Sequence, residues 1–579
     1  MAQQLYFSRD TRMFVQFRNT TDNTEDAADL GKGNLWEIPI LDGYSFSQTT
    51  NTSEITLAEM ESTAGVSRRG RRMFTDSLAP AEFSFSTYIR PFDSVGQNAI
   101  QTNDYDGVKA AEPAAQVGVH SIEEVLWASM CGADKYIVNS SKMSWRRNVN
   151  PVSGSETDVI TPTDTSSTIV FTESNRSALH SFTIFFLIDT ATSNPLVYRL
   201  PEAIVNEVTV DFDVDGIATL NWSGFAKEVQ DHSQKVCISS IHNPLKAAGN
   251  AGDGDGSRID DTALVLGDIV IDTGNSRAVS IVSDLSSANA VATQAIDEAT
   301  TSTKNFIRNR LTAVSIEAAD AADKVAGTFP GQHAVISAVD VSGTTDKITT
   351  STAHNFTTGD QVQISGITGS AGTAFDLNGT WYVNVTSTTQ LKLYDTEANA
   401  TTGSGTGLKD LDALNAGATL TGSTIGNGKY SLTLTGGSFN IGNNITYLVP
   451  EELVAINKPL EHVTGTRTAG GNATCYMTLE DTDTTNGTSR QFFNDLVGTG
   501  AMSKVVNKFK VTMHIGGSAA TGNTTDPAVK ITFPTAHIEV PTHQVEDVIS
   551  LETTFTALPT DFGAADEITS VIYYPPSTY

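Results

Sequence analysis

VYRLPEAIV at Val197–Val205 and KITFPTAHI at Lys530–Ile538 read as one element written twice, with Pro201 over Pro534. Working outward from this pair, the same order of elements returns on both sides. GYSF at Gly43–Phe46 matches GGSF at Gly436–Phe439, an offset of 393 (436 − 43). A short amphipathic helix follows each, Glu124–Met130 (EVLWASM) and Gln491–Val497 (QFFNDLV). Then come an apolar strand, Phe182–Ile188 and Phe509–Ile515, the paired element itself, and a closing strand, Ile217–Trp222 and Val548–Thr553. Five elements in one order predict a duplicated domain, and repeats fix an architecture before any motif is read.

The offsets locate what was added. The first strands, Phe14–Phe17 and Val314–Glu317, lie 300 apart (314 − 14). By Gly436 the offset is 393, so the second copy carries about 90 extra residues after its first strand. Those residues have their own rhythm: HAVISAVD, ITTSTAHNF, DQVQISGI, GTWYVNVT and QLKLYD, punctuated by turn dipeptides at Gly359-Asp360 and Asn378-Gly379. They predict a small closed β unit. By Pro534 the offset falls to 333 (534 − 201), so the first copy is longer in its middle, where the polar tract Asn148–Ser167 lies. In the first copy Ser121–Met130 reads as a helix capped by Ser121, with Glu124 as its capping-box partner. Ala247–Asp261 is rich in Gly and Asp and reads as a linker. Ser283–Lys304 has Ala-rich helical spacing and reads as a short helix or connector.

The predicted organisation is therefore mainly β. A first copy of the repeated domain takes 1–245 and a linker 246–303. A second copy takes 304–328 and 428–579, interrupted by an inserted all-β domain at 329–427.

Composition agrees and excludes other classes. The 579 residues include 36 Lys+Arg and 66 Asp+Glu, for a net charge of −30; 39% are hydrophobic and 18% charged. At about 150 residues per domain, three to four domains fit. Few charges with many Thr, Ser, Asn and Gly suit strands and turns. The acidity argues against a protein that grips nucleic acid with its whole surface. No apolar run reaches the length of a transmembrane helix, and MAQQLYFSRD lacks a Sec signal pattern. Cys131, Cys237 and Cys475 lie far apart, which fits neither a disulfide framework nor a metal knuckle.

The chemistry-bearing residues form no catalytic set. His514, His537 and His543 are too spread along strands to share a metal. Asp253, Asp255, Asp260 and Asp261 lack calcium-loop spacing. No GxSxG, HExxH or P-loop occurs in a suitable context, so no enzyme activity and no cofactor are expected. The densest basic cluster is Arg68, Arg69, Arg71 and Arg72, followed by Met73 and Phe74 in the long segment Ala58–Pro80. It reads as an inter-subunit loop, a nucleic-acid contact or a solvated loop; Arg forks bind carboxylates well, and long loops in compact domains are usually functional. Glu207, Asp211, Asp213 and Asp215 alternate along EVTVDFDVD and share one sheet face.

WEIPILDGYSFSQTTNTSEITLAEM (Trp36–Met60), RRGRRMFTDSLAPAEFSFSTYIRPF (Arg68–Phe92) and VKITFPTAHIEVPTHQVEDVISLETTFTALP (Val529–Pro559) resemble the tail tube proteins of tailed bacteriophages, of the siphophage type with two fused tube domains. The insert, with AHNFTTGDQVQISG and LNGTWYVNV, resembles a small β-barrel repeat that decorates phage structural proteins. The resemblance implies β-sandwich or barrel domains, each with a flanking helix. Rings of six such domains stack into a hollow tube that conducts DNA, so a duplicated chain implies trimeric, pseudo-hexameric rings. It implies self-association, contacts with tape measure, tail terminator and baseplate or tip proteins, and DNA passing unbound through an acidic lumen. It implies location in the virion tail after assembly in the bacterial cytoplasm, with no membrane partner. Glu207, Asp211, Asp213 and Asp215 become candidate lumen-facing acids, with the outer face as the alternative. Other virion β proteins, such as a baseplate hub, decoration protein or adhesin, share the composition but do not require two tandem copies of one ring-forming fold. A carbohydrate-binding role for the insert is a further alternative.

Overall fold

The computed structural model describes residues 6–17, 35–54, 73–93, 100–102, 118–139, 142–150, 155–163, 165–171, 179–189, 194–213, 215–239, 269–272, 278–284, 289–296, 306–325, 327–340, 345–368, 377–403, 405–411, 419–450, 457–478, 487–498, 500, 504, 506–517, 527–545, 548–561 and 564–575. The chain is mainly β. In the first half the strands are β1 (Thr11–Phe17), β2 (Leu35–Ile38), β3 (Ser45–Ser47), β4 (Thr50–Glu54), β5 (Met73–Leu78) and β6 (Ala81–Tyr88). Helix α1 (Glu124–Met130) follows, then β7 (Ser167–Val170), β8 (Phe182–Ile188), β9 (Leu196–Asp213) and β10 (Thr219–Ala226). Alternation of apolar and polar residues builds these strands: β6 reads buried-exposed along AEFSFSTY, with Phe83 and Phe85 inward.

Between the halves lie β11 (Ile269–Asp272), β12 (Ala278–Asp284) and β13 (Asn289–Ile296). They form an antiparallel series; β11 pairs with Val236–Ser239 and β13 with β2 and with Ile100–Thr102. The helical expectation for Ser283–Lys304 is thus corrected to strand over Asn289–Ile296, and the 246–303 linker contributes sheet. Ladder partners outweigh Ala-rich local propensity there. The Asp-rich run 253–261 lies outside the described residues.

The second half contains β14 (Ala313–Ala318), then the insert: β15 (His333–Val339), β16 (Ile348–Thr350), β17 (Gln361–Ser365), β18 (Gly379–Ser387), β19 (Gln390–Tyr394), α2 (Glu397–Thr402) and β20 (Thr424–Gly426). These six strands close into a barrel in the order β15-β16-β19-β18-β17-β20 around its own core, which includes Ile336, Val362, Val383 and Leu393. Gly359 and Gly379, with φ of 97° and 141°, make the tight turns that the dipeptides announced. Then follow β21 (Lys429–Ser431), β22 (Leu434–Gly442), β23 (Thr446–Leu448), β24 (Glu461–Val463), β25 (Thr468–Tyr476), α3 (Ser489–Val497), β26 (Phe509–Gly516), β27 (Ala528–Ile538), β28 (Thr542–Val545), β29 (Ile549–Ala557) and β30 (Ser570–Tyr574).

The ladders of the two halves run in the same order. Phe182 of β8 faces Phe17 and Ala203, and Phe509 of β26 faces Ala318 and Ala536. Register slips between Phe182 and Ile184 in one half and between Phe509 and Val511 in the other. Pro201 and Pro534 lie within these irregularities, where a missing N–H does no harm. Phe46 faces Phe83 in β3–β6, and Phe439 faces Gly471 in β22–β25.

Among the described residues, two strand ladders, or seams, join the halves. Residues Glu207–Asp213 of β9 pair with Gly442–Gly436 of β22, seven residues on each side. The C-terminal strand β30 pairs with both β27 and β7, crossing back to the first half. Behind the first seam Val208, Val210, Phe439 and Ile441 are all buried in one core with residues of both halves. Each such side chain contributes roughly 2 kcal/mol.

Two local readings change. Ser121 ends a strand, Val119–Ser121, and does not cap α1, which begins at Glu124 with no side-chain cap. Glu124 is unavailable for capping because Trp145 Nε1 donates to its Oε1 at 2.7 Å and His120 Nδ1 lies 2.8 Å from its Oε2. In the polar tract, Ser155–Pro162 pairs with Lys142–Asn150 and with β7.

Candidate assembly surface

The first seam makes one continuous sheet in the order β3-β6-β10-β9-β22-β25-β29. One face is the core, with Phe83, Trp222, Phe439 and Phe555 turned inward. The other carries small polar side chains on every strand. They are tied across strands: Ser45 Oγ to Ser84 Oγ at 2.8 Å, Ser86 Oγ donating to Asn221 Oδ1 at 2.7 Å, and Ser438 Oγ donating to Asn472 Oδ1 at 2.9 Å.

Glu207, Asp211 and Asp213 share this face: Glu207 is half-buried and Asp211 and Asp213 are exposed. Amides donate to two of them. Asn440 Nδ2 donates to Glu207 Oε1 at 3.3 Å across the seam, and Asn221 Nδ2 to Asp211 Oδ2 at 3.4 Å. Asp215 lies beyond the end of β9, where Arg310 meets it at 3.2 Å in an exposed ion pair. Sequence reading missed Glu82 and Glu552, which stand on the same polar face of β6 and β29. Alternation in AEFSFSTY and ISLETTFTA was the available signal. Over these strands, taking Glu207–Asp213 of β9, the sequence has no Lys, Arg or His.

Glycines let the seam close. A Cβ on Gly437 would sit 2.5 Å from the Asn472 carbonyl oxygen and 2.7 Å from the Phe212 ring. The GGSF element therefore needs glycine where the halves meet.

Each half also sends out a hairpin arm between its first polar-face strand and the next. The second arm, β23–β24, folds back on the first half. Ile445 and Tyr447 bury against Leu179, Ile204 and Phe225. The Tyr447 hydroxyl donates to the Glu202 carbonyl, and His462 Nε2 lies 3.2 Å from the Leu179 carbonyl oxygen. Burial pushes the Tyr447 hydroxyl up and the His462 imidazole down, so both stay neutral. The first arm, β4–β5, is exposed along nearly its whole length, with Met73 at 59% and Phe74 at 60% exposure. Arg68, Arg69, Arg71 and Arg72 lie outside the described residues.

Beneath the sheets, Tyr573 of β30 is pinned to α1. Trp127 Nε1 donates to the Tyr573 hydroxyl at 2.5 Å, and that hydroxyl donates to Glu123 Oε1 at 2.9 Å. Burial raises the Glu123 carboxyl to about 7. Burial likewise lifts the Cys131 and Cys475 thiols, to about 12 and about 11, which leaves them unreactive. Among the described residues no group of three His, Cys, Asp or Glu is placed to hold a metal. The surface offers strand edges and polar walls, which suit association.

The chain is similar to a known protein. The chain is 34% identical over 141 residues to tail tube protein pb6 of Escherichia phage T5. Over that stretch it is related to a phage tail tube protein. The match covers 24% of this chain and 28% of pb6. No family model matches.

Proposed function

We propose that this chain is the structural, non-enzymatic subunit of a phage tail tube. The observation that carries the proposal is the β9–β22 seam together with the two edges it leaves over. Within one chain, Thr209 faces Asn221 of β10, and Val210 faces Phe439 of β22. In the second half, Thr542 of β28 faces Glu552 of β29 in the same manner, so His543 stands where Val210 stands. Nothing among the described residues pairs with the outer edge of β28, and β3 pairs only with β6. Phe46 occupies in β3 the place of Phe439 in β22. The β3 edge of one chain thus fits the β28 edge of another, with Phe46 opposite His543. Repetition of this heterologous contact closes a ring and removes both edges.

With two tube domains per chain at 1–245 and at 304–328 plus 428–579, a six-domain ring takes three chains. The polar face lines the lumen, with Glu207, Asp211 and Asp213 among its acids; Asp215 belongs to its rim. A wall without cations repels the phosphate backbone and lets DNA slide. The barrel at 329–427 projects outward as decoration. The segment around Arg68, Arg69, Arg71, Arg72, Met73 and Phe74 joins neighbouring copies. Such a tube belongs to a virion tail assembled in the host cytoplasm, and it meets tape measure, terminator and baseplate or tip proteins. Negative staining of concentrated purified chain tests the proposal: stacked rings of constant width are expected, and dispersed monomers overturn it.

A further inference from the structure

The two arms differ in what covers them, and the difference names a seat for the first. The second arm lies on the face formed by Leu179, Glu202, Ile204 and Phe225 of the first half. Ladder positions carry that face onto the second half. Leu179 precedes Phe182 by three residues, as Val506 precedes Phe509. Ile204 faces Phe225 in β9–β10, and His537 faces Thr556 in β27–β29. On the second-half face Val506 is 40% exposed.

The first arm carries the matching set. Tyr447 faces His462 in β23–β24, and Glu54 faces Met73 in β4–β5. Met73 and Phe74 therefore stand where His462 and Val463 stand. We infer that the first arm seats on the Val506–His537 face of another copy of this chain, laterally within one ring. This rests on the tube reading and deepens it, because it assigns the arm a partner surface.

Chemistry supports the pairing and explains why it is not made in cis. The seat that Tyr447 fills is apolar, with Ile204 beneath it. In the second half His537 replaces Ile204, and its Nδ1 is buried without a partner among the described residues. Glu54 takes the place of Tyr447 and brings a carboxylate to that imidazole. Met73 meets Val506, as His462 meets Leu179. The cis junction thus joins apolar packing to hydrogen bonds on backbone carbonyls, whereas the trans junction joins an apolar contact to a charge-assisted one. That is the composition of contacts between chains that must first be soluble alone.

Full-length Met73→Cys/Val506→Cys, treated with a short bismaleimide after assembly, tests the seat. Bands on a denaturing gel should stop at three chains, and neither single variant should give them. A ladder continuing past three places the arm on a neighbouring ring and overturns the lateral seat. Absence of cross-links in visible tubes also overturns it and leaves the tube proposal standing. Wild-type chain that forms no rings defeats both. A charge exchange provides a second route: Glu54→Lys should raise the concentration needed for assembly about tenfold, and Glu54→Lys/His537→Asp should restore it. An unchanged threshold in the single variant overturns the pairing.

Discussion

The closed seam of this chain and its open edges share ladder positions, but only the seam is paired among the described residues. At β9–β22 seven residues pair on each side, apolar groups pack behind, and the β23–β24 arm is folded down. At β3 and β28 the corresponding positions are strand edges unpaired among the described residues, and the β4–β5 arm is exposed beyond its base, where Ser77 and Leu78 meet Asn457. The first junction is part of the folded core, with apolar contacts such as Ile445 and Tyr447 on Ile204. The positions proposed for the second carry Glu54 and His537 instead, polar groups that suit a chain soluble before copies meet.

Breaking the closed junction should have the largest effect. Gly437→Val drives a side chain into the Asn472 carbonyl and the Phe212 ring. It should cost roughly 3 kcal/mol or more in denaturant unfolding. A stable variant would show that the seam is not tight.

The second seam carries a pH dependence of similar size. Glu123 is raised to about 7 from 4.5, and it faces Tyr573, Arg90 and Glu124. Between these values the folded chain holds a proton that the unfolded chain has released. The stability from the neutral carboxyl is therefore full below about 4.5 and falls as pH rises through about 7, a loss on the order of 3 kcal/mol. Unfolding curves of Glu123→Gln against pH should lose this slope; an unchanged slope would assign it elsewhere.

A smaller effect is expected in the folded-down arm. Tyr447→Phe removes one buried hydrogen bond to the Glu202 carbonyl and should cost about 1 kcal/mol. Hydrogen exchange should quicken at residues 446–463 while β4–β5 stays as it was. Equal changes in both arms would erase the contrast between them.

The smallest effect on stability comes from the polar face. Asp211→Lys/Asp213→Lys changes exposed groups and should shift unfolding by less than about 0.5 kcal/mol. Tubes bearing it should retain DNA in low salt and release it in high salt. DNA sliding freely through them would remove these acids from the lumen.

Much of this was legible in the sequence where residues alternate or repeat. The offset of Phe46 from Phe439 is the one the ladders show, and Pro201 and Pro534 fall in matching irregularities. The barrel was readable from five runs, but its sixth strand, Thr424–Gly426, is too short to carry a pattern. Strand Asn289–Ile296 was hidden because Ala and Thr fit a helix until ladder partners decide. The polar face was seen only at β9, where charges mark it. Its Ser and Asn positions look like ordinary solvent-facing residues until the strands are set side by side. The pin between Tyr573 and α1 joins residues 450 apart (573 − 123) and has no local signature.

A cryo-EM reconstruction of the assembled chain tests the central claim most directly. It should show three chains around each ring, with β3 of one antiparallel to β28 of the next and Phe46 opposite His543. A ring in which β3 and β28 remain unpaired, or in which chains meet through their 329–427 barrels, would contradict it.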